Sequence, residues 1–149
     1  MTRPRAELRL PRWVQRLDTL PEEIVREALE ESRDFLRDKA RENASKGGNR
    51  GLHVRSGRLI ASLRTYLRPT SNGGELGLGV VSYGWVNDRG AVIRAKNAPY
   101  LRFRGADGRW YSRKQVTIPE RPWARDALEA TRKEFPRYVY RALERATRP

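Results

Sequence analysis

One histidine and no cysteine stand among 149 residues, so the side chains that most often carry nucleophilic, redox and zinc chemistry are nearly absent. His53 lies three residues before Ser56. A serine nucleophile needs a base beside it and a third group to hold that base. His53 sits in a Gly- and Arg-rich stretch, and Ser56 reads better as a helix cap. A single histidine also fails the usual zinc donor sets. Carboxylates are sparse in the second half of the chain. Asp88, Glu120 and Asp126 are the three that could converge on magnesium. Glu120 and Asp126 are explained equally well by a strand-to-helix junction and by the positive end of a helix. Gly105-Ala106-Asp107-Gly108 is a hairpin turn and not a phosphate cradle, because no P-loop lysine follows. These residues predict no enzyme, no metal and no cofactor.

The remaining chemistry is charge. The chain carries a net +14, with 32 basic and 18 acidic side chains. Residues 1–50 nearly balance at +2, so the field belongs to residues 51–149, which hold +12. Such a field draws polyanions or acidic protein surfaces. Residues 89–121 contain nine basic and two acidic side chains, among them Arg94, Lys96, Arg102, Arg104, Arg109, Arg113 and Lys114. These are the candidate contacts to DNA or to an acidic partner. Tyr100, Phe103, Trp110 and Tyr111 are interleaved with them. Basic, aromatic-bearing strands can stack bases and neutralise phosphates. A twisted hairpin with aromatics inward and basic residues outward fits the same residues, and the alternation does not separate the two readings.

The elements that must position these residues follow from periodicity. Residues 1–18 form an arm in which Pro4 and Pro11 discourage helix and Trp13 offers an apolar docking group. Residues 19–149 form one domain. Thr19-Leu20-Pro21-Glu22 reads as a capping box. A helix to about Ala44 follows, with Ile24, Val25, Ala28, Leu29, Ser32, Phe35, Leu36 and Ala40 on one stripe. On its other face the spacing pairs Glu22 with Arg26, Glu30 with Arg33, Asp34 with Arg37 and Asp38 with Arg41.

Ser56 opens a short helix, and a strand over 64–68 ends at Pro69. A strand over 75–82 follows, and its Gly77 and Gly79 leave one face bare for a bulge or a partner. Residues 83–87 form a single helical turn. Val92-Ile93, residues 100–103, Trp110-Tyr111 and residues 115–118 are further strands. The last helix starts near Pro122 and is kinked or broken near Pro136. The order predicts α+β: a long N-terminal helix, a small and mostly antiparallel β-sheet, and a C-terminal helix. No apolar run approaches the ~20 residues that span a bilayer, so no membrane partner is expected. The lack of cysteine fits a reducing cytoplasm.

Three short motifs recur in a telling order. Ser56-Gly57-Arg58-Leu59 precedes the strands; Tyr83-Gly84-Trp85-Val86-Asn87-Asp88-Arg89-Gly90 follows them; Arg121-Pro122-Trp123 opens the last helix. In this order and spacing, over roughly residues 20–147, the chain resembles the tail-completion (neck) proteins of long-tailed bacteriophages, of the minor tail protein Z-like and virion-morphogenesis type. The sequence departs from that pattern where Asn87 replaces a common acid and where Pro136 interrupts the last helix.

The resemblance implies a non-enzymatic virion protein of the neck and tail, assembled in the host cytoplasm. It implies a ring of six copies at the head–tail junction, between the connector and the tail terminator or tail tube. The basic bias would then meet an acidic ring partner or DNA in the lumen. Trp13, Tyr83, Trp85, Arg89, Gly90, Arg121, Pro122 and Trp123 are the expected interface residues. Within that set the aromatics should pack the loop and the last helix, and Arg121 should hold a backbone or carboxylate group across the junction. The alternative from another class is a basic nucleic-acid-binding module.

Overall fold

The computed structural model describes residues 21–52, 57–71, 73–105 and 107–148. Trp13, His53, Ser56 and the first half of the expected capping box lie outside them. The apolar stripe of the first helix forms as its period requires. α1 spans Glu22–Ser45 and buries Ile24, Val25, Ala28, Leu29, Ser32, Leu36 and Ala40, with Asn43 and Ala44 added at its end. Phe35 is only half-buried. Of the four ion pairs expected on the outer face, Asp34–Arg37 forms at 3.2 Å. Asp38 is taken by Arg37 at 3.1 Å and not by Arg41.

α4 spans Trp123–Thr147 and runs unbroken through Pro136. Of the kink or break expected at Pro136, the break does not occur. Pro136 removes one backbone donor, but Phe135 on one side and Tyr138, Val139 and Ala142 on the other are all buried against Ile24, Val25, Ala28 and Leu29 of α1. That shared packing spans the proline and holds both halves of the helix to one partner.

A second cluster occupies the other end of the helix pair. Leu36, Ala40 and Ala44 of α1 meet Leu63, Leu76, Leu78, Trp85, Trp123, Ala124 and Ala127. Between the two clusters lie Ser32 and Thr131, both fully buried. Each donates its hydroxyl to the carbonyl one turn back, Ser32 to Ala28 at 2.7 Å and Thr131 to Ala127 at 2.8 Å, so neither leaves an unmet polar group in the interior.

The architecture is α+β, as the element order predicts. The strands pair as three two-stranded antiparallel ribbons and not as one sheet. β1 (Arg64–Thr70) pairs with β2 (Gly73–Gly79), with Leu67 opposite Leu76. β1 continues past Pro69, against expectation, because a two-stranded ribbon leaves each strand a free edge where proline is tolerated. β2 ends before the expected Ser82, because that residue opens α3 (Ser82–Arg89), which is longer than the single turn expected. At Gly77 the bare face of β2 is covered from within: Tyr66 lies across it, so close that a Cβ there would meet its ring at 2.3 Å.

The other two ribbons are nested. β3 (Ala91–Arg94) pairs with β6 (Gln115–Ile118), and between them β4 (Leu101–Arg104) pairs with β5 (Trp110–Arg113). A bond from the Ala95 N–H to the Lys114 carbonyl, 3.0 Å, extends the outer ribbon toward the inner one.

Candidate functional site

The three motifs meet at the start of α4, and Gly84 is the point where they touch. α2 (Arg58–Ser62) carries Leu59, whose Cδ1 would lie 3.4 Å from a Cβ at Gly84; Val80 would lie at 2.8 Å. The absence of that Cβ is what lets α3 approach so closely. The Gly84 carbonyl accepts the Trp123 indole N–H at 3.2 Å. Asn43, near the end of α1, donates its amide to the Trp123 carbonyl at 3.1 Å. Trp123 is therefore fully buried and tied to α1 and α3 through both backbone and side chain. Ser62 adds a further link, its hydroxyl accepting the Val81 N–H at 3.2 Å.

Asp88 is the second anchor, and it is almost fully buried. Its Oδ1 accepts the N–H groups of Ala124 at 2.9 Å and Arg125 at 3.2 Å. These are two of the donors that a helix start leaves without intrahelical partners. Pro122, the residue in the N-cap position, offers no side-chain bond, so α4 is capped from 36 residues away. The Asp88 Oδ2 accepts Arg125 Nε at 3.1 Å, and the Asp88 carbonyl accepts Arg125 Nη2 at 2.9 Å. Arg125 also pairs with Glu120, and that bond raises the guanidinium above its ordinary value.

The expectation for Arg121 holds in kind. Its Nη1 donates to the Gly48 and Gly51 carbonyls, both at 3.2 Å, while its backbone N–H donates to the Asn87 carbonyl at 2.9 Å. Arg50, from the same loop, clasps Asp126 with a two-bond fork at 2.7 and 2.8 Å. That fork holds the Asp126 carboxyl below the usual carboxylate range. Asn87 donates its side-chain amide to the Tyr83 carbonyl at 2.9 Å. The acid that grips the junction is its neighbour Asp88.

The structure thus redistributes the expected interface residues. Trp85, Pro122 and Trp123 are buried within this chain, and Arg121 is half-buried against the loop that carries Gly48 and Gly51. They fix the junction and present little surface to a neighbour. Tyr83, 40% exposed, and Arg89 remain outward on α3. Gly90 ends that helix at φ 73° and ψ 164°, a backbone region essentially reserved for glycine. A Cβ there would also meet the Ile118 carbonyl and the Glu120 N–H at 3.0 Å. Gly90→Ala should lower unfolding free energy by about 1–3 kcal/mol; an unchanged urea midpoint would show the turn to be unstrained.

Asp88 and Glu120 share Arg125, and Asp126 belongs to Arg50. Each of the three carboxylates weighed for magnesium is thus paired with an arginine. Among the described residues no group of three or more potential ligands gathers. No helix among them is long and apolar enough to cross a membrane. No family model, curated protein or solved structure matches this chain.

Asp88 as a remote cap and Gly84 as a contact point both escaped the sequence reading. Only the acid-then-glycine ending Asp88-Arg89-Gly90 hinted at the first. The basic residues 94–114 lie on the nested ribbons and on the segments that join their strands. Arg94, Lys96, Arg102, Arg104, Arg109, Arg113 and Lys114 form no salt bridge among the described residues. The two acids of residues 89–121 are already engaged, Glu120 by Arg125 and Asp107 by the Tyr111 hydroxyl and the Arg109 N–H.

Proposed function

We propose that this chain is a structural protein of the bacteriophage neck, a tail-completion protein that forms a ring at the head–tail junction and joins the tail to the connector. The observation that supports this best is the convergence at Gly84. Leu59 of the first motif, Gly84 and Asp88 of the second and Trp123 of the third form one packed unit. Each motif is weak as a string of letters, and their physical coupling makes their shared order meaningful.

In this reading the buried junction holds α3 rigidly against α4, and the outward residues Tyr83 and Arg89 face the next copy. A ring requires one patch to meet a different patch on its neighbour, and exposed aromatic and arginine side chains are common anchors for such contacts. The connector and the tail terminator or tail tube would bind the two faces of the ring.

The test is genetic and visual. Without this chain, the phage that encodes it should accumulate filled heads and finished tails that remain separate in electron micrographs. Arg89→Glu with Tyr83→Ala should reproduce that defect while the purified protein stays folded. Joined, infectious particles made in the absence of the chain would refute the assignment.

A further inference from the structure

The two faces of the β4–β5 ribbon treat their aromatic residues differently. Register places Phe103 opposite Tyr111 and Arg104 opposite Trp110. On the first face Phe103 and Tyr111 stack on each other, with ring centroids 5.9 Å apart, and both are half-buried. On the second face Trp110 has no aromatic partner and is 64% exposed. Arg102 lies 5.4 Å from its ring centre, and Arg104 bonds the Gly108 carbonyl at 2.8 Å. This face carries a largely exposed indole with the Arg102 guanidinium over one side of its ring and Arg104 opposite it in register, and neither guanidinium meets a carboxylate among the described residues.

We propose that this face binds single-stranded nucleic acid, with an unpaired base stacked on Trp110 and the flanking phosphates held by Arg102 and Arg104. An acidic protein surface would satisfy the guanidiniums but leave the indole in water. A duplex would do the same, because its bases already stack on one another. An unpaired strand covers the ring and neutralises the arginines together, and it does so with little regard to sequence. The surrounding charge adds to the attraction, since residues 89–121 carry nine basic side chains against two acidic ones. The proposal does not depend on the neck assignment: a ring that only surrounds packaged DNA would favour duplex.

Fluorescence anisotropy of the full chain with labelled oligothymidylate, and separately with a duplex of equal length, tests it over a salt series. The single strand should bind more tightly. Trp110→Ala should weaken binding about tenfold, with part of the loss recovered in Trp110→Phe. Arg102→Ala with Arg104→Ala should flatten the slope of log K against log salt by about 1.4, the loss of two phosphate contacts. Circular dichroism guards against ribbon unfolding, and the arginine pair gives a readout independent of the indole. Equal affinity for duplex with no effect of Trp110→Ala would leave charge alone and overturn the proposal. Equal displacement of the oligonucleotide by polyglutamate would assign the face to an acidic protein, and absence of binding at low salt would refute it outright.

Discussion

Trp123→Ala should lower the unfolding free energy by about 3–5 kcal/mol, the range for emptying the site of a buried aromatic ring. The side chain is fully buried, and it touches the core shared by Leu36, Ala40, Leu63 and Leu76. Little can collapse into the space, because α1, β2 and α3 hold its walls from three directions. The change also leaves the Gly84 carbonyl without its indole donor. Trp123→Phe keeps most of the packing and loses that bond, so its cost should fall to about 1–2 kcal/mol. Urea unfolding of both variants measures the difference. Domains of this kind have only about 5–15 kcal/mol to lose, so the alanine variant should be close to unfolding at 37 °C. A midpoint like that of the parent chain would mean that Trp123 is not the keystone of the junction.

Asp88→Ala is the second large effect, at about 3 kcal/mol. Losing a helix cap costs about 0.5–2 kcal/mol, and here two N–H groups lose their acceptor together. Arg125 loses the carboxylate but is half in water and keeps Glu120, so the positive charge is not stranded. The desolvation cost of the pair falls mainly on Asp88, and a buried acid is tolerable only while its partners remain. Asp88→Asn retains an oxygen for the two N–H groups and should cost less than half as much. A double-mutant cycle with Arg125→Ala separates the cap from the ion pair. If alanine and asparagine prove equally harmful, the charge and not the cap holds the helix start.

The helices were legible because their apolar residues repeat at three- and four-residue steps. The stripe from Ile24 to Ala40 buries nearly as its spacing predicts, and the pattern from Trp123 to Val139 likewise marks the buried side of α4. Proline at 136 does not break α4, because a local rule meets a helix held on both sides by packing. The local strand signals were sound, since each ribbon has Gly or Asn near its turns. Their grouping was not legible: pairing of β3 with β6 depends on closing a loop around β4 and β5, which no local spacing encodes.

The junction was half legible. Arg121-Pro122-Trp123 announced a helix start, and Arg121 does grip backbone carbonyls. But the cap comes from Asp88 on another helix, and cap rules look only at the residues next to the start. Buried and exposed aromatics could not be told apart by type: Trp85 and Trp123 serve the interior, and Trp110 stands in water.

The remote cap also bears on when the chain can fold as it leaves the ribosome. The apolar stripe of α1 is complete by Ser45, yet the main cover of its first half, Ile24 to Leu29, is α4, and α4 lacks a capped start until Asp88 and Trp123 are both in place. Contacts this distant in sequence close late and slowly. A nascent chain halted before α4 emerges should therefore hold the first half of α1 open to protease and to chaperones. Release of the complete chain should bring protection in one step, and early protection of that half would show that it finds other cover first.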